Sequence, residues 1–167
     1  MIEKHAPEGG VVKHLEECIE LAYKIVPPTS KNLTFEQFIN RPLPPHDIPK
    51  TSGGANAMML APDDPIIKTL EKVREMLGYD YVSNYNIMAP NTQMPWHTNS
   101  NAAGWRLYYI KGAGAFKYLD ENGEQQIDHD NDKGWTVRKF RITNDPPLWH
   151  SVYAKEKRYA FGFATVG

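Results

Sequence analysis

Residues 95–99 read Pro95-Trp96-His97-Thr98-Asn99, and residues 148–152 read Leu148-Trp149-His150-Ser151-Val152. Each segment sets a histidine directly after a tryptophan, and the chain between and around them is written in the language of strands. Tyr81–Met88, Trp105–Lys111, Ala115–Leu119, Gln125–Asp128, Gly134–Ile142, Leu148–Ala154 and Arg158–Val166 are rich in aromatic and β-branched residues. Asp120-Glu121-Asn122-Gly123 is a tight-turn signal between two of them, and Lys155-Glu156-Lys157 joins the last hairpin. Short strands in this number predict a sandwich or jelly roll.

Before Gly78 the pattern is helical. Val12, Leu15, Ile19, Ala22 and Val26 recur at helical spacing between Gly9-Gly10 and Pro27-Pro28. Ile66, Leu70, Val73 and Leu77 form a second stripe, with Asp64 as cap, Pro65 in the first turn and Gly78 at the end. Residues 27–62 are irregular and rich in Pro, Gly and Asn, with a short helix expected at Thr34–Ile39. A segment of this length without regular structure is a candidate lid over a site. Helices followed by strands give an α+β, mainly β, chain. At 167 residues, one domain is expected over 1–167. In it, residues 1–80 form a helical and irregular support and residues 81–167 the β core.

Composition narrows the chemistry. Nineteen Lys plus Arg against twenty Asp plus Glu leave a net charge of −1, which argues against a nucleic-acid coat. Lys133, Arg138, Lys139 and Arg141 interleave with Trp135 and Phe140, a pattern that can bind single strands, but a solvated sheet face explains it more simply. No apolar run approaches the ~20 residues of a membrane span, and the charged first twenty residues lack a signal-peptide core. The single cysteine, Cys18, falls on a helix stripe as core filler. These features predict a cytoplasmic protein with no membrane partner, and they set no oligomeric state. With six histidines and one cysteine, a metal site must use His, carboxylate or amide groups.

His5, His14, His46 and His129 lie in polar surroundings and read as exposed. The run Asp128-His129-Asp130-Asn131-Asp132 has hard-cation character, though a hydrophilic turn suffices to explain it. His97 and His150 differ. On a strand, residues i and i+2 share a face, so His97 and Asn99 are expected to reach one point, with His150 arriving from a distant strand. Two ligands one residue apart plus a remote histidine is the layout of a non-haem iron facial triad. Two core histidines beside tryptophans is the plainer alternative. Ser100 and Ser151 each adjoin a histidine, but strand neighbours point to opposite faces, which argues against a hydrolase relay.

Residues 81–167 resemble the double-stranded β-helix, a cupin-like jelly roll, of the 2-oxoglutarate- and Fe(II)-dependent oxygenases, and most the small prolyl-4-hydroxylase-like branch. The likeness runs in order along the chain. Asn84-Tyr85 is similar to the strand before the metal motif, and His97-Thr98-Asn99 stands in the place of His-x-Asp/Glu. Arg106-Leu107-Tyr108-Tyr109-Ile110 and Gly114-Ala115-Phe116 resemble the next strands. Lys133-Gly134 with Phe140 leads to His150-Ser151-Val152, which resembles the distal His-x-Val, and Arg158 is similar to the basic residue that follows. In this family the N-terminal helices pack on the major sheet.

The resemblance implies a hydroxylase that consumes O2 and 2-oxoglutarate and releases succinate and CO2, with ascorbate as an optional reductant. Iron would be held by His97, Asn99 and His150, which are also the expected catalytic residues. The cosubstrate would be held by Arg158 with Tyr85 or Tyr108. The substrate would be a small molecule or a peptide, a prolyl residue among the options. Asn99 stands where the family carries a carboxylate, so the competing expectation is a jelly-roll binding module that has lost efficient iron binding. Parity along the last strand supports the Arg158 role: Arg158, Ala160 and Gly162 share one face with room for a ligand, while Tyr159, Phe161 and Phe163 share the other.

Overall fold

The computed structural model describes residues 2–27, 32–41 and 63–167. Its elements in chain order are β1 (Ile2–His5), α1 (Gly9–Ala22), α2 (Phe35–Ile39), α3 (Pro65–Leu77), β2 (Tyr81–Met88), β3 (Thr92–His97), β4 (Gly104–Lys111), β5 (Gly114–Leu119), β6 (Gln125–His129), β7 (Trp135–Ile142), β8 (His150–Ala154) and β9 (Arg158–Ala164). The strands form two antiparallel sheets. The major sheet has the order β1-β7-β4-β9-β2 and the minor sheet β3-β8-β5-β6. This is the mainly β jelly roll expected from the sequence.

Strand alternation gives the major sheet two different faces. Its outer face carries Tyr85, Ile87, Leu107, Tyr109, Trp135, Val137, Tyr159, Phe161 and Phe163, which pack with Val11, Leu15, Cys18 and Ala22 of α1 and Ile66, Leu70 and Val73 of α3. Helix α3 starts and stops as its sequence dictates. Asp64 accepts from the Ile66 N–H at 2.9 Å, and Gly78 takes φ 72°, the left-handed conformation that costs glycine little. Cys18 is sealed in this core, and burial raises its thiol pKa to about 12, which keeps it protonated.

Four features differ from the sequence expectation. Helix α1 ends at Ala22, not Val26. Lys157 Nζ donates to the Tyr23 and Ile25 carbonyls there, and Val26 is left exposed. The edge strand β1 was not expected, because Ile-Glu-Lys-His is short and polar; its register against β7 supplies what its composition does not. Strand β3 was not expected either, since Pro95 and Gln93 interrupt the β signal. Finally, the N-terminal helices do not all lie on the major sheet. Helix α2 covers the outer face of the minor sheet, with Leu33 and Phe38 packed on Ala115 and Tyr153. It opens with a capping box between Thr34 and Gln37. His46 and most of the 27–62 stretch lie outside the described residues.

Helix α2 sits over a buried lysine. Lys117 is wholly enclosed, donates to the Phe38 carbonyl at 2.5 Å, and lies over the Phe38 and Trp96 rings. Burial, with the Arg41 charge adding to it, depresses its pKa from 10.5 to about 8. The unfolded chain therefore binds more protons than the folded chain between about pH 8 and 10.5, and this lysine's contribution to stability rises across that window. Urea denaturation of the wild-type chain and Lys117→Met at pH 7.5 and at pH 10 checks this. The stability gap should move in favour of the wild type at the higher pH, and a constant gap contradicts the assignment.

Candidate active site

The inner face of the major sheet and the facing minor sheet enclose a cavity of about 370 Å³, a size typical of small-ligand sites. The floor is set by β9, where Ala160, Gly162 and Ala164 lie between the side chains of β2 and β4. Gly162 is required by close approach. A methyl group there would lie 2.4 Å from the Tyr108 ring and 2.8 Å from the Ser83 hydroxyl.

His97 ends β3 and pairs across the minor sheet with His150, the first residue of β8. Their rings lie 4.1 Å apart, and both residues are 3% exposed. Each Nδ1 contacts a backbone carbonyl two residues back, Pro95 O at 2.7 Å and Leu148 O at 2.8 Å. A neutral ring in that contact carries its proton on Nδ1 and its lone pair on Nε2. Burial lowers both pKa values, that of His150 strongly, with the His97 charge acting in the same direction. Two neutral imidazoles side by side, each with its lone pair on Nε2, have the chemistry that could hold a metal.

Asn99 joins them by a different route from the expected one. It is not a strand residue. The strand ends at His97, and Asn99 takes φ 53° before a 3₁₀ turn over Ser100–Ala102. Asparagine tolerates the left-handed conformation better than most residues. The turn brings the Asn99 Nδ2 to 3.5 Å from the His150 Nε2. The two ends of an amide are interchangeable in such an assignment, so the oxygen can occupy the same place. His97, Asn99 and His150 thus converge, with the two-residue strand spacing playing no part. Among the described residues no cluster of three or more His, Cys, Asp or Glu could hold a metal, so three side-chain donors at this point would require the amide. The remaining candidate, the 128–132 run, is no metal cluster, and His129, Asn131 and Asp132 are exposed as a hydrophilic turn requires. Asp128 and Asp130 are committed to arginines.

Those arginines are Arg138 and Arg158, and both line the cavity. Arg158 Nε donates to Asp130 Oδ2 at 2.8 Å, and Arg138 Nη2 to Asp130 Oδ1 at 3.0 Å. Arg138 Nε also donates to Asp128 Oδ2 at 2.7 Å. Burial works to raise the Asp130 pKa, but the Arg158 and Arg138 charges and hydrogen bonds outweigh it and hold the carboxyl below its ordinary range. The expectation that the basic strand is a solvated face is therefore corrected. Strand alternation sends Arg138 inward to 1% exposure, while Arg141 points to solvent.

Of the two tyrosines expected beside Arg158, Tyr108 lines the cavity, with Asn84 and Ser83 beside its phenol and Phe140 stacked on it at 5.5 Å. Burial raises its pKa. Tyr85 does not line it. It faces the helices and stacks on Phe161 at 5.6 Å, because it sits on the outer face of β2. The residues that β2 does present are Tyr81, Ser83, Asn84 and Asn86. Asn86 is 2% exposed and its Oδ1 makes no hydrogen bond, so it is an amide oxygen awaiting a donor. Its position one residue after Tyr85 was the available signal. Ser151 turns away and donates to the Met94 carbonyl.

No family model matches the chain, and no curated protein matches it. Among solved structures it is similar to a prolyl hydroxylase from Trichoplax adhaerens in complex with a hypoxia inducible factor oxygen degradation domain peptide fragment. The TM-score is 0.54 at 12% identity, over 99% of this chain and 82% of that one. It is also similar to a Pseudomonas putida prolyl-4-hydroxylase, with TM-score 0.49 and 10% identity, over 99% and 91% of the two chains. The first likeness shows that the chain has the jelly-roll fold of a prolyl hydroxylase.

The shared carboxylate has a measurable consequence. Asp130→Asn removes the charge that both buried arginines face. The expected loss of stability is about 3–5 kcal/mol, the range for breaking a buried ion pair from one side. Guanidinium denaturation at pH 7 reads it, and a loss below about 1 kcal/mol, the scale of a surface pair, contradicts the role.

Proposed function

We propose that the chain is a non-haem Fe(II)- and 2-oxoglutarate-dependent dioxygenase that hydroxylates a C–H bond of a peptide or small-molecule substrate, with release of succinate and CO2. The observation that carries this reading is the convergence of two buried, neutral imidazoles and an amide in a cavity that also holds Arg158.

The residues fit the metal. Each histidine has its Nδ1 against a carbonyl, which orients Nε2 as a ligand, and two imidazoles suit iron(II). His97, His150 and the Asn99 amide oxygen would hold it. When bound, iron supplies the oxygen chemistry that couples oxidative decarboxylation of 2-oxoglutarate to hydroxylation of the substrate. The chain's own residues do the rest. Arg158 would receive the far carboxylate of the cosubstrate, and Asp130, on its Nε side, fixes the guanidinium plane. Tyr108, Asn84 and Asn86 offer hydrogen bonds along the cosubstrate. Phe116 and Phe140, against His150 at 5.5 and 5.8 Å, keep water from the donor atoms. Among the described residues no helix is long and apolar enough to cross a membrane.

Asn99 supports a second reading. A neutral amide in place of a carboxylate weakens the hold on a dication, and a jelly-roll binding module without turnover is the outcome if that hold fails.

Two measurements separate the readings. Fe(II) and 2-oxoglutarate added to the protein without oxygen should give the visible charge-transfer band of the chelate, and admitting oxygen should yield succinate. Neither signal above a His97→Ala control would sink the enzyme reading. Asn99→Asp should tighten Fe(II) binding by about tenfold or more, since a charged ligand is added to a neutral set. Unchanged affinity would place Asn99 outside the coordination sphere.

A further inference from the structure

Three arginines line the cavity, and their charges are not equivalent. Arg138 and Arg158 are paired with Asp128 and Asp130. Arg106 has no carboxylate partner among the described residues. Its Nη2 donates to the Ala102 carbonyl and its Nη1 to the Trp105 carbonyl, and its guanidinium lies 6.0 Å over the Tyr81 ring. It is nonetheless only 4% exposed. A buried cation satisfied by two carbonyls and a ring edge keeps free N–H donors and an uncompensated charge, which is costly unless a ligand answers it.

Register places this charge. On the major sheet Arg106 pairs with Ala164 on one side and Phe140 on the other. Phe140 packs on His150. Arg106 is therefore level with the histidine pair. Arg158 begins β9, six residues before Ala164, or about 20 Å of strand away. The Arg106 end is also the open end. Asn101 and Ala102 there are exposed and Tyr81 half-buried, whereas Arg158, Ala160 and Ile110 at the far end are buried. A cosubstrate between the histidines and Arg158 occupies the closed end. A second ligand must enter over Arg106.

We propose that Arg106 is a specificity-determining residue that selects a primary substrate bearing a carboxylate, held at the open end of the cavity beside the histidine pair. The inference rests on the oxygenase reading only for which end the cosubstrate takes. One uncompensated positive charge matches a monoanion, and the guanidinium fork matches the planar carboxylate.

The test uses the full chain, with and without saturating Fe(II) and 2-oxoglutarate under argon, and titrates three probes calorimetrically. These are N-acetylleucine, its carboxamide, and a blocked aspartate (acetyl-aspartyl-amide). The first carries a main-chain carboxylate, the second none, and the third a side-chain carboxylate only, so the stronger of the first and third identifies the source. The wild-type chain should prefer a carboxylate over the carboxamide by about tenfold or more, the scale of a charge-assisted contact. Arg106→Gln should bring that ratio to about one while leaving 2-oxoglutarate affinity unchanged, and Arg158→Gln should do the reverse. A melting temperature of Arg106→Gln within a few degrees of the wild type separates this from loss of the turn it braces. No carboxylate binding, no preference, or a ratio unmoved by Arg106→Gln overturns the proposal. So does a loss of 2-oxoglutarate affinity in Arg106→Gln, which would assign Arg106 to the cosubstrate. A wild-type chain that binds no 2-oxoglutarate but keeps an Arg106-dependent preference refutes the oxygenase reading and leaves this one standing.

Discussion

The carboxylate of Asp130 is the constraint around which the inner cavity is arranged. It lies beyond the end of β6, wholly enclosed, and binds one arginine from β7 and one from β9. Arg158 pairs with it, and Arg138 with it and with Asp128, which offsets the cost of burying the two guanidinium charges. The Asp130 carboxylate also closes over Gly114, whose bareness is required first by the Tyr153 carbonyl of the neighbouring strand. A methyl group at that position would meet that carbonyl at 2.1 Å, Asp130 Oδ2 at 3.0 Å and the Arg158 stem at 3.2 Å. The pairing with Asp130 fixes which N–H groups of Arg158 remain for a ligand.

The second organising fact is that one strand serves two masters. Odd positions of β9 pack the helices and even positions floor the cavity, so a ligand above Gly162 and the aromatic core beneath it are two faces of a single sheet. Stability and site geometry are consequently coupled. Phe161, without exposure and stacked between Tyr85 and Trp135, holds the strand in the register that puts Arg158 opposite Met88 and Ala160 opposite Asn86. A slip of one residue would turn every cavity residue of β9 toward the helices.

Period-two and helical patterns made most of this legible in the sequence. They gave α3 with its caps, most strands, the two faces of β9, and the separation of His97 and His150 from the other histidines. Three things were not legible, each for a physical reason. Asn99 reaches the histidines through a left-handed residue and a 3₁₀ turn, and its strand-like spacing from His97 is coincidental to that. Tyr85 has the right chemistry but alternates outward between Asn84 and Asn86, and the register shift in β2 between Val82 and Asn84 brings Ser83 to the cavity as well. The pairing of Asp128 and Asp130 with arginines on β7 and β9 depends on tertiary proximity. In the sequence the acidic run resembles any polar turn.

The missing carboxylate at residue 99 changes meaning once the arginines are placed. Read alone, an amide there is a defect in a dication site. Lining the same cavity, however, and holding the Ala102 carbonyl of the turn that Asn99 opens, stands Arg106, level with the histidines and without a counter-ion among the described residues. A carboxylate at position 99 would lie near that guanidinium and compete for it, drawing charge away from the metal donors or from any anion at the mouth. A neutral residue at 99 leaves Arg106 available. The two departures from a neutral balance at this end, one absent negative and one unpaired positive, therefore describe a single arrangement: a site in which negative charge is to be brought by what binds and not by the chain.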